Sequence, residues 1–469
     1  MKKNLIVLVL IFLWTPGVLL SQETWVKTFA NHGTDELETI TKTPDGGSIL
    51  IGSTMATQFD SDIRKRGKGG VDIFIVKLNQ QCDVQWMKTM GGLRYDYGRS
   101  ISTRQEGGYY LTGRYGSNDG DFDGVKNYED QLLFHSVSYN DDVFVTKLNE
   151  SGDVLWTKTF GGSGSDVGES ITTTPDGGCI VTGESISTDG DFEGMNIGGG
   201  SDIFVIKLNK RGTVQWMKKF GGSNIEHSSR IMNTSDGGFI LSGVTSSNDG
   251  VFKGMSKGGG EDVFIMKLDH RGEFQWNMVF GGSGSDYLHD LSVTQDNGYV
   301  LTGRSSSMDG DFKGISKEGV LGVHRDGEGE VLILGDIFVV RLDSLGNVQW
   351  KKMFGGSRYD WGQSITSISN NEFVVSGWTF SDDGDFKGLK RGTTNTDIFI
   401  MKLNDVGNIL WKKTYEGEGS EKYGRSTVTT DGQYLVTGRL RVKRENMDIF
   451  VMKLDSNGNL QPKGKKSKK

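Results

Sequence analysis

The stretch that decides the fold is 202–222, DIFVIKLNKRGTVQWMKKFGG, because versions of it recur along the whole chain. Its apolar run, 203–206, is too short for an ordinary helix and is rich in β-branched and aromatic residues, which predicts a buried strand. A turn follows in which Asn209 marks the start and Gly212 supplies the positive φ of a bulged hairpin. The second strand carries Trp216 and ends at a Gly-Gly pair. The stretch therefore predicts a β-hairpin.

Three markers repeat seven times along the chain. The tryptophan copies, spaced by 61, 70, 60, 60, 74 and 61 residues, are Trp25, Trp86, Trp156, Trp216, Trp276, Trp350 and Trp411. The strands that precede them begin at Asp72, Asp142, Asp202, Asp262, Asp336, Asp397 and Asp448. A second hairpin, around a turn such as Pro-Asp-Gly-Gly, begins near Glu38, Ser100, Ser170, Arg230, Asp290, Ser364 and Ser426. The chain is thus a repeat array with a period of about 60 residues and two insertions.

Each period holds four short strands: A and B around the Asp-Gly turn, the Asp strand C and the Trp strand D. Four strands per repeat predict an all-β fold, a seven-bladed β-propeller of four-stranded antiparallel blades. The first Trp strand, 23–29, has no A, B or C strand before it, and Pro462 stands where the last Trp is expected. Because proline cannot donate to a strand ladder, we expect the N-terminal strand to complete the last blade and close the ring.

The composition of the chain suits a fold with many tight turns. Gly occurs 70 times and Pro only 4 times.

The ends of the chain differ from the repeats. Residues 1–21 combine two lysines, an apolar run and small residues, the pattern of a secretory signal peptide, so we expect a periplasmic, cell-surface or secreted protein. Residues 22–461 are predicted to form one propeller domain. Residues 462–469 are predicted to be a basic, disordered tail, because a terminus without apolar residues cannot pack.

Charge and apolar content exclude some partners. Removing the two signal lysines takes the formal net charge from −7 to −9, which disfavours binding of nucleic acid. No run after the signal is long enough to span a bilayer. The two cysteines, Cys82 and Cys179, occupy different repeat positions, so we infer no disulfide framework. A monomer that does not span the membrane is expected.

The recurring phrases 142–149, Trp156, 160–166 and 182–183 resemble the bacterial SBBP-type β-propeller repeats. The resemblance covers essentially the whole mature chain. It implies an exported bacterial propeller and says little about function, because family members often have no known role. The chain departs from the pattern at its two insertions and at Cys82, which replaces the glycine of the C–D turn.

A basic residue recurs at one position of strand C, at Lys77, Lys147, Lys207, Lys267, Arg341, Lys402 and Lys453. Seven equivalent copies favour an architectural role over seven active sites. We expect Lys207 to lie across from about Gln215, with its stem over apolar surface and its charge at the rim.

The B–C and D–A loops are expected to share one face of the ring, because neighbouring strands alternate in direction. The B–C loops contain Asp-Gly-Asp-Phe runs, whose carboxylates are those of Asp119, Asp121, Asp189, Asp191, Asp309, Asp311, Asp383 and Asp385. Closely spaced carboxylates at a glycine turn fit calcium, the one cofactor that the sequence suggests. The alternative is an Asx-type turn in which the phenylalanine plugs the blade edge. One copy carries Val251 instead of the second aspartate, and the spacing differs from strong calcium loops.

The D–A loops carry aromatic residues beside carboxylates. The candidate ligand-binding residues are Tyr97, Tyr287, Tyr359, Trp361, Tyr423, Asp96, Asp286 and Asp360. Tyr95, Asp166 and Glu421 accompany them. Such pairs can stack on sugar rings and bond hydroxyl groups, or hold a peptide, at the concave mouth of a propeller. The alternative is that these residues pack between blades.

Three functions remain open from the sequence. The first is a non-catalytic exported scaffold that binds a glycan or a protein on the B–C and D–A face. The second is a glycoside hydrolase or lyase that uses Asp96, Asp286 and Asp360; no histidine motif supports catalysis. The third is a structural surface component. The insertions at 127–139 and 318–334 enlarge the same face and are expected to form a lid or an extra hairpin.

Overall fold

The computed structural model of the protein describes residues 26–29, 35–55, 70–125, 141–195, 197–316, 323–325, 331–333, 335–389, 395–416, 421–443 and 446–460. Within these ranges the strands form seven four-stranded antiparallel sheets and one two-stranded hairpin. The seven sheets are the blades of a β-propeller, as the repeat predicts.

The strands of the first three blades follow the chain, after β1 (Val26–Phe29), which belongs to the last blade. Blade 1 consists of β2 (Asp35–Lys42), β3 (Ser48–Met55), β4 (Val71–Leu78) and β5 (Val84–Met90). Blade 2 consists of β6 (Asp96–Thr103), β7 (Tyr109–Tyr115), β8 (Asp142–Leu148) and β9 (Val154–Phe160). Blade 3 consists of β10 (Asp166–Thr173), β11 (Cys179–Ser185), β12 (Asp202–Leu208) and β13 (Val214–Phe220).

The remaining blades repeat this order. Blade 4 consists of β14 (Glu226–Asn233), β15 (Phe239–Thr245), β16 (Asp262–Leu268) and β17 (Phe274–Phe280). In blade 5, the hairpin β20 (Val323–Arg325) and β21 (Val331–Ile333) interrupts the series β18 (Asp286–Val293), β19 (Tyr299–Ser305), β22 (Asp336–Leu342) and β23 (Val348–Phe354). Blade 6 consists of β24 (Asp360–Ser367), β25 (Phe373–Thr379), β26 (Asp397–Leu403) and β27 (Ile409–Tyr415). Blade 7 consists of β28 (Glu421–Val428), β29 (Tyr434–Lys443), β30 (Asn446–Leu454) and β1.

The N-terminal strand closes the ring. β1 pairs antiparallel with β30, with Val26 opposite Met452 and Phe29 opposite Ile449. The last blade therefore takes its outer strand from the start of the chain. This pairing confirms the closure predicted from Pro462 and covers the edge that β30 would otherwise expose.

The hydrophobic core lies between neighbouring blades. In one cluster, Ile203 and Phe220 of blade 3 pack with Phe239 and Leu241 of blade 4. The A strands of successive blades, such as β6, β10 and β14, contact one another around the axis. Strand C is buried on both faces, which explains its continuous apolar run.

The basic residue of strand C is architectural, as expected. Lys207 Nζ donates to Asp176 of the A–B turn at 2.8 Å, to Gln215 Oε1 at 2.8 Å and to the Leu208 carbonyl at 3.1 Å. The lysine is 6% exposed. It ties the A–B turn to the C–D hairpin at the face opposite the B–C loops.

In the described part of the chain, the tryptophans of blades 1 to 6 pack on the C–D turn of the next blade. A Cβ added at Gly272 would lie 2.6 Å from the ring of Trp216, and Gly272 has φ +77°. Glycine suits this turn for two reasons: it adopts the positive φ, and it has no Cβ that would collide with the tryptophan ring. Cys82 occupies the equivalent turn of blade 1 at φ 60° and is buried.

Some expectations fall outside the described residues: the signal peptide at 1–21, the insertion at 127–139 and the tail at 462–469. The described parts of 318–334 form the hairpin β20–β21, one of the two forms expected for that insertion. Among the described residues, no helix has the length and apolar character needed to cross a membrane.

Candidate functional site

The D–A and B–C loops lie together on one face of the ring, as predicted. In the first junction, the Leu93 N–H donates to Asp119 Oδ1 at 2.8 Å and the Gly91 N–H donates to Asp121 Oδ2 at 2.9 Å. In blades 2 to 6, the described part of the B–C loop thus holds the D–A loop that enters the same blade. We call the axial opening on this face the mouth.

The carboxylates of the Asp-Gly-Asp-Phe runs join the B–C loops to the D–A loops. Backbone N–H groups donate to Asp189, Asp191, Asp309, Asp311, Asp383 and Asp385. The backbone N–H of Ser163 lowers the pKa of Asp189 below its ordinary value. The rings that follow are 0–1% exposed: Phe122, Phe192, Phe252, Phe312 and Phe386.

These contacts favour the turn interpretation over calcium. In each Asp-Gly-Asp run, the second carboxylate accepts a hydrogen bond from the Gly-Gly loop, and the phenylalanine that follows is buried at the blade edge. Across the described ranges, no three His, Cys, Asp or Glu side chains are grouped so that they could hold a metal ion. The copy with Val251 keeps the same short 3-10 turn without the second aspartate, so the turn does not depend on a metal-binding pair.

The candidate carboxylates Asp96, Asp286 and Asp360 are buried, each with 0% exposure. Asp96 accepts hydrogen bonds from the Gly92 N–H at 2.9 Å and from the Ser117 hydroxyl at 2.7 Å. Burial raises the pKa of Asp96 to about 6 and that of Asp360 to about 7. Their burial gives no support to the expectation that these carboxylates face a ligand or perform hydrolysis, which stays a prediction. They anchor the loops that border the mouth.

A second buried carboxylate explains the Gly-Gly pair. A Cβ added at Gly281 would lie 1.8 Å from Asp262 Oδ1 and 2.9 Å from Asp286 Oδ2. Only a residue without a side chain fits between these two carboxylates. Burial also raises the pKa of Asp262 to about 6. The junction between blades 4 and 5 therefore depends on two aspartates and one glycine from consecutive blades; between blades 3 and 4, Glu226 takes the place of the second aspartate.

Tyr97 and Tyr287 lie at the mouth, each beside an arginine of the neighbouring strand. They are the second residues of β6 and β18 and are partly exposed. The Arg114 guanidinium lies 4.3 Å from the Tyr97 ring centroid, and Arg304 lies 4.4 Å from that of Tyr287. These are cation–π contacts between directly opposite residues of strands A and B.

Trp361 is also at the mouth, but its ring is used in packing. Arg304 lies 4.1 Å from the ring centroid, His289 stacks at 5.4 Å and Trp378 contacts it at 4.8 Å. Tyr359 does not reach the mouth. It is 0% exposed and stacks on Phe380, so the packing alternative is correct for it.

Tyr423 is the most exposed of the candidate aromatic residues, at 37%. It adopts φ 61° where the pairing of β28 with β29 shifts register, and Arg439 lies 5.0 Å from its ring. Bulges of this kind re-aim side chains. The bulge turns this ring toward solvent at the mouth.

The sequence did not single out the polar partners of these rings. His227 bridges two glutamates of the mouth: its Nδ1 hydrogen-bonds to Glu184, and its Nε2 lies 3.8 Å from Glu261. The hydrogen bond to Glu184 raises the pKa of His227. His227 is the second residue of β14, the same position as Tyr97 in β6, so aligning the A strands by position would have identified it.

Ion pairs between A strands lie below the mouth. Arg99 Nη1 lies 2.7 Å from Glu38 and its Nε lies 3.7 Å from Glu169, while Arg230 Nε lies 2.6 Å from Asp290. Burial raises the pKa of Glu169. These ion pairs join blade 2 to blades 1 and 3, and blade 4 to blade 5.

A cavity of about 320 Å³ opens on the opposite face, lined by the A–B turns of blades 2 to 4, including Arg104, Thr173 and Asn233. It is remote from the aromatic and charged residues of the mouth, because A–B turns and B–C loops lie at opposite ends of the strands. We therefore place the candidate site at the mouth, because the aromatic and charged side chains lie there, although the cavity is on the opposite face.

No family model matches the chain. An uncharacterized WD repeat-containing protein of Acanthamoeba polyphaga mimivirus is 21% identical over 224 residues, which cover 42% of this chain and 16% of that protein. The chain therefore matches only a small part of this relative's length.

Several solved structures resemble this chain at low sequence identity. The Neurospora crassa Pan2 WD40 domain is 10% identical with a TM-score of 0.46 and coverage of 92% for both chains. Kuenenia stuttgartiensis hydrazine synthase is 11% identical, with a TM-score of 0.46 and coverage of 90% of this chain and 95% of that one. A mutant of NanB sialidase from Streptococcus pneumoniae is 12% identical, with a TM-score of 0.44 and coverage of 92% and 70%. These likenesses concern the fold alone.

Proposed function

We propose that the protein is a non-catalytic, exported propeller that binds a glycan or protein ligand at the mouth. The observation that carries the proposal is Tyr423, an aromatic ring that is 37% exposed on a strained backbone. A non-glycine residue in the left-handed region costs about 1–2 kcal/mol. Such strain concentrates at functional sites, where it fixes a side chain for contact.

Neighbouring side chains support the same role. Tyr287 and Tyr97 are partly exposed at equivalent positions, and each is held by an arginine. Rings fixed in this way lose little conformational entropy when they contact a ligand. The hydrolase alternative loses its support, because Asp96 and Asp286 are fully buried. The signal-peptide pattern of residues 1–21 and the resemblance of the repeats to those of exported SBBP-type propellers are the basis for proposing export.

The proposal is tested by probing glycan and peptide arrays with the purified protein and with Tyr423→Gly. The glycine variant removes the ring and tolerates the left-handed backbone, so it should fold at least as well as one with alanine. We expect about tenfold or greater loss of binding, as for an interface aromatic residue.

The matched control is Phe274→Ala, which removes a ring that is 44% exposed on the outer strand of blade 4. It should bind as the unaltered protein does. Equal binding by the Tyr423→Gly variant would place the ligand elsewhere. Failure of the unaltered protein to bind on either array would contradict the binding function.

A further inference from the structure

Blade 3 contains a buried lysine at a strand D position where the other blades have no charge. Lys219 of β13 lies opposite Phe204 of β12, and its side chain is 3% exposed. The residues in the same register of the other six blades are Thr28, Thr89, Thr159, Val279, Met353 and Thr414. Because valine and methionine occur at this position, the propeller does not need a charge here. Lys219 therefore requires an explanation of its own.

Lys219 lies beside a carboxylate of the neighbouring strand. Its Nζ is 3.7 Å from Asp202 Oδ2, and the Asp202 side chain is 4% exposed. Asp202 stands two residues before Phe204, so its side chain and that of Lys219 are diagonal neighbours on one face of the blade. The Phe192 ring centroid lies 5.3 Å from Nζ. The amine and the carboxyl group are thus enclosed together beside an aromatic ring.

The hydrogen bonds of this pair are incomplete. Nζ approaches the Ser187 carbonyl at 3.2 Å and the Ser185 carbonyl at 3.4 Å, which are at or beyond the long end of the usual range. The Ile197 N–H donates to the Asp202 carboxylate, but Asp202 Oδ1 has no hydrogen-bond partner among the described residues. Buried charges are costly unless they are well paired, so a reaction that removes both charges is favoured here.

A second carboxyl group is available to transfer protons. Asp166, Ser185 and Asp202 are opposite one another in β10, β11 and β12, and the charge of Lys219 acts on both aspartates. Burial lowers the pKa of Lys219 and raises those of Asp202 and Asp166 to about 6. These shifts favour an uncharged amine and protonated carboxyl groups. An uncharged amine can attack a carboxyl carbon, and a neighbouring acid can carry the proton.

We propose that Lys219 and Asp202 condense to an intramolecular isopeptide bond. The Lys219 nitrogen attacks Asp202 Cγ, a C–N bond forms, and one C–O bond of the carboxyl group breaks. Two protons of the ammonium group leave with the departing oxygen as one water molecule, and Asp166 relays them. The ion pair becomes a neutral amide without any other reactant, because the fold holds the two groups together. The bond fastens the outer strand of blade 3 to β12, and it does not depend on ligand binding at the mouth.

The test is tryptic digestion of the denatured, purified protein, followed by mass spectrometry. Trypsin cleaves after lysine and arginine, so a free Lys219 gives the separate peptides 159–207 and 220–230. A linked Lys219 resists cleavage. We therefore expect one branched peptide that joins 159–207 to 219–230 and weighs one water molecule less than their sum. Fragmentation of this peptide should locate the bond at Asp202.

Three variants define the role of each group. Lys219→Met introduces the residue that blade 5 has at this position, so it should fold and give no branched peptide. Asp166→Asn cannot carry a proton, so it should slow formation of the bond in newly synthesised protein by about a hundredfold. The matched control is Lys218→Met, which removes the neighbouring lysine that pairs with Glu273 at 2.9 Å. It should leave the branched peptide unchanged.

The unaltered protein alone decides whether the bond exists. Release of peptide 220–230 without any branched peptide would overturn the proposal. A branched peptide linked through Asp166 would overturn the assignment of Asp202. Loss of the branched peptide in Lys218→Met would show that a different lysine reacts. An Asp166→Asn variant that is folded by tryptophan fluorescence and links as fast as the unaltered protein would refute the proton relay.

Discussion

Replacing Asp286 with alanine tests whether this carboxylate anchors loops or serves a ligand. Its oxygens accept hydrogen bonds from the Gly282 N–H at 2.9 Å and from the hydroxyls of Ser305 and Ser307. The aspartate is 0% exposed. Its removal would therefore leave three donors in a buried place without their acceptor.

The cost can be worked out from these contacts. A buried donor without an acceptor costs about 1–3 kcal/mol. The hydroxyls of Ser305 and Ser307 can rotate toward other acceptors, whereas the Gly282 N–H is fixed by the backbone. We expect Asp286→Ala to lower the free energy of unfolding by about 3 kcal/mol. Asp309→Ala is the control: this exposed carboxylate accepts the Ser283 N–H at 2.7 Å, and its loss should lower the free energy of unfolding clearly less, because water can replace it.

The assay is equilibrium unfolding in urea, followed by tryptophan fluorescence, for the unaltered protein and both variants. The anchoring role requires a clearly larger loss of stability for Asp286→Ala than for Asp309→Ala. An Asp286→Ala variant that is as stable as the unaltered protein but no longer binds ligand would refute this role. It would also restore the sequence-based view of Asp286 as a ligand-binding residue.

Two further predictions concern the same junctions. Gly281→Ala should lower the free energy of unfolding by about 3 kcal/mol, because the added Cβ would lie 1.8 Å from Asp262 Oδ1. The control Gly254→Ala, at a residue with φ +74° and no atom within 4 Å of an added Cβ, should lower it by about 1 kcal/mol. Both are measured by urea unfolding, and similar losses of stability would contradict the close approach at Gly281. Burial raises the pKa of Asp96 to about 6 and of Asp360 to about 7, so the stability these groups add is complete below about pH 3.8 and is lost as pH rises through 6–7. The urea midpoint should therefore fall between pH 5 and pH 8, and a midpoint that rises over this range would contradict the pKa shifts.

The architecture could be predicted because its signals are local. The turn glycines, the apolar run of strand C and the period of about 60 residues each act within one hairpin or one blade. The position of Lys207 near Gln215 follows from hairpin register alone, and the structure confirms it at 2.8 Å. Even the closure by β1 could be inferred, since Pro462 replaces the residue that the pattern requires.

The candidate site was predicted only in part. Tyr97, Tyr287 and Tyr423 do lie at the mouth, but Asp360 and Tyr359 point into blade junctions. Successive residues of a strand point to opposite faces, so Asp96 is buried whereas Tyr97, the next residue of the same strand, is partly exposed at the mouth. Which face meets the axis and which meets a neighbouring blade depends on how the sheets are arranged around the ring.

The sequence by itself determined the blades, their number and their closing strand, because hydrogen-bonded hairpins join residues that are close along the chain. The tertiary structure decided which side chains from different blades meet at the mouth. Arg304 contacts Trp361 only because blades 5 and 6 pack side by side, and Arg439 reaches Glu36 only because the ring closes. Contacts of this kind depend on the packing of whole sheets, which no single repeat encodes.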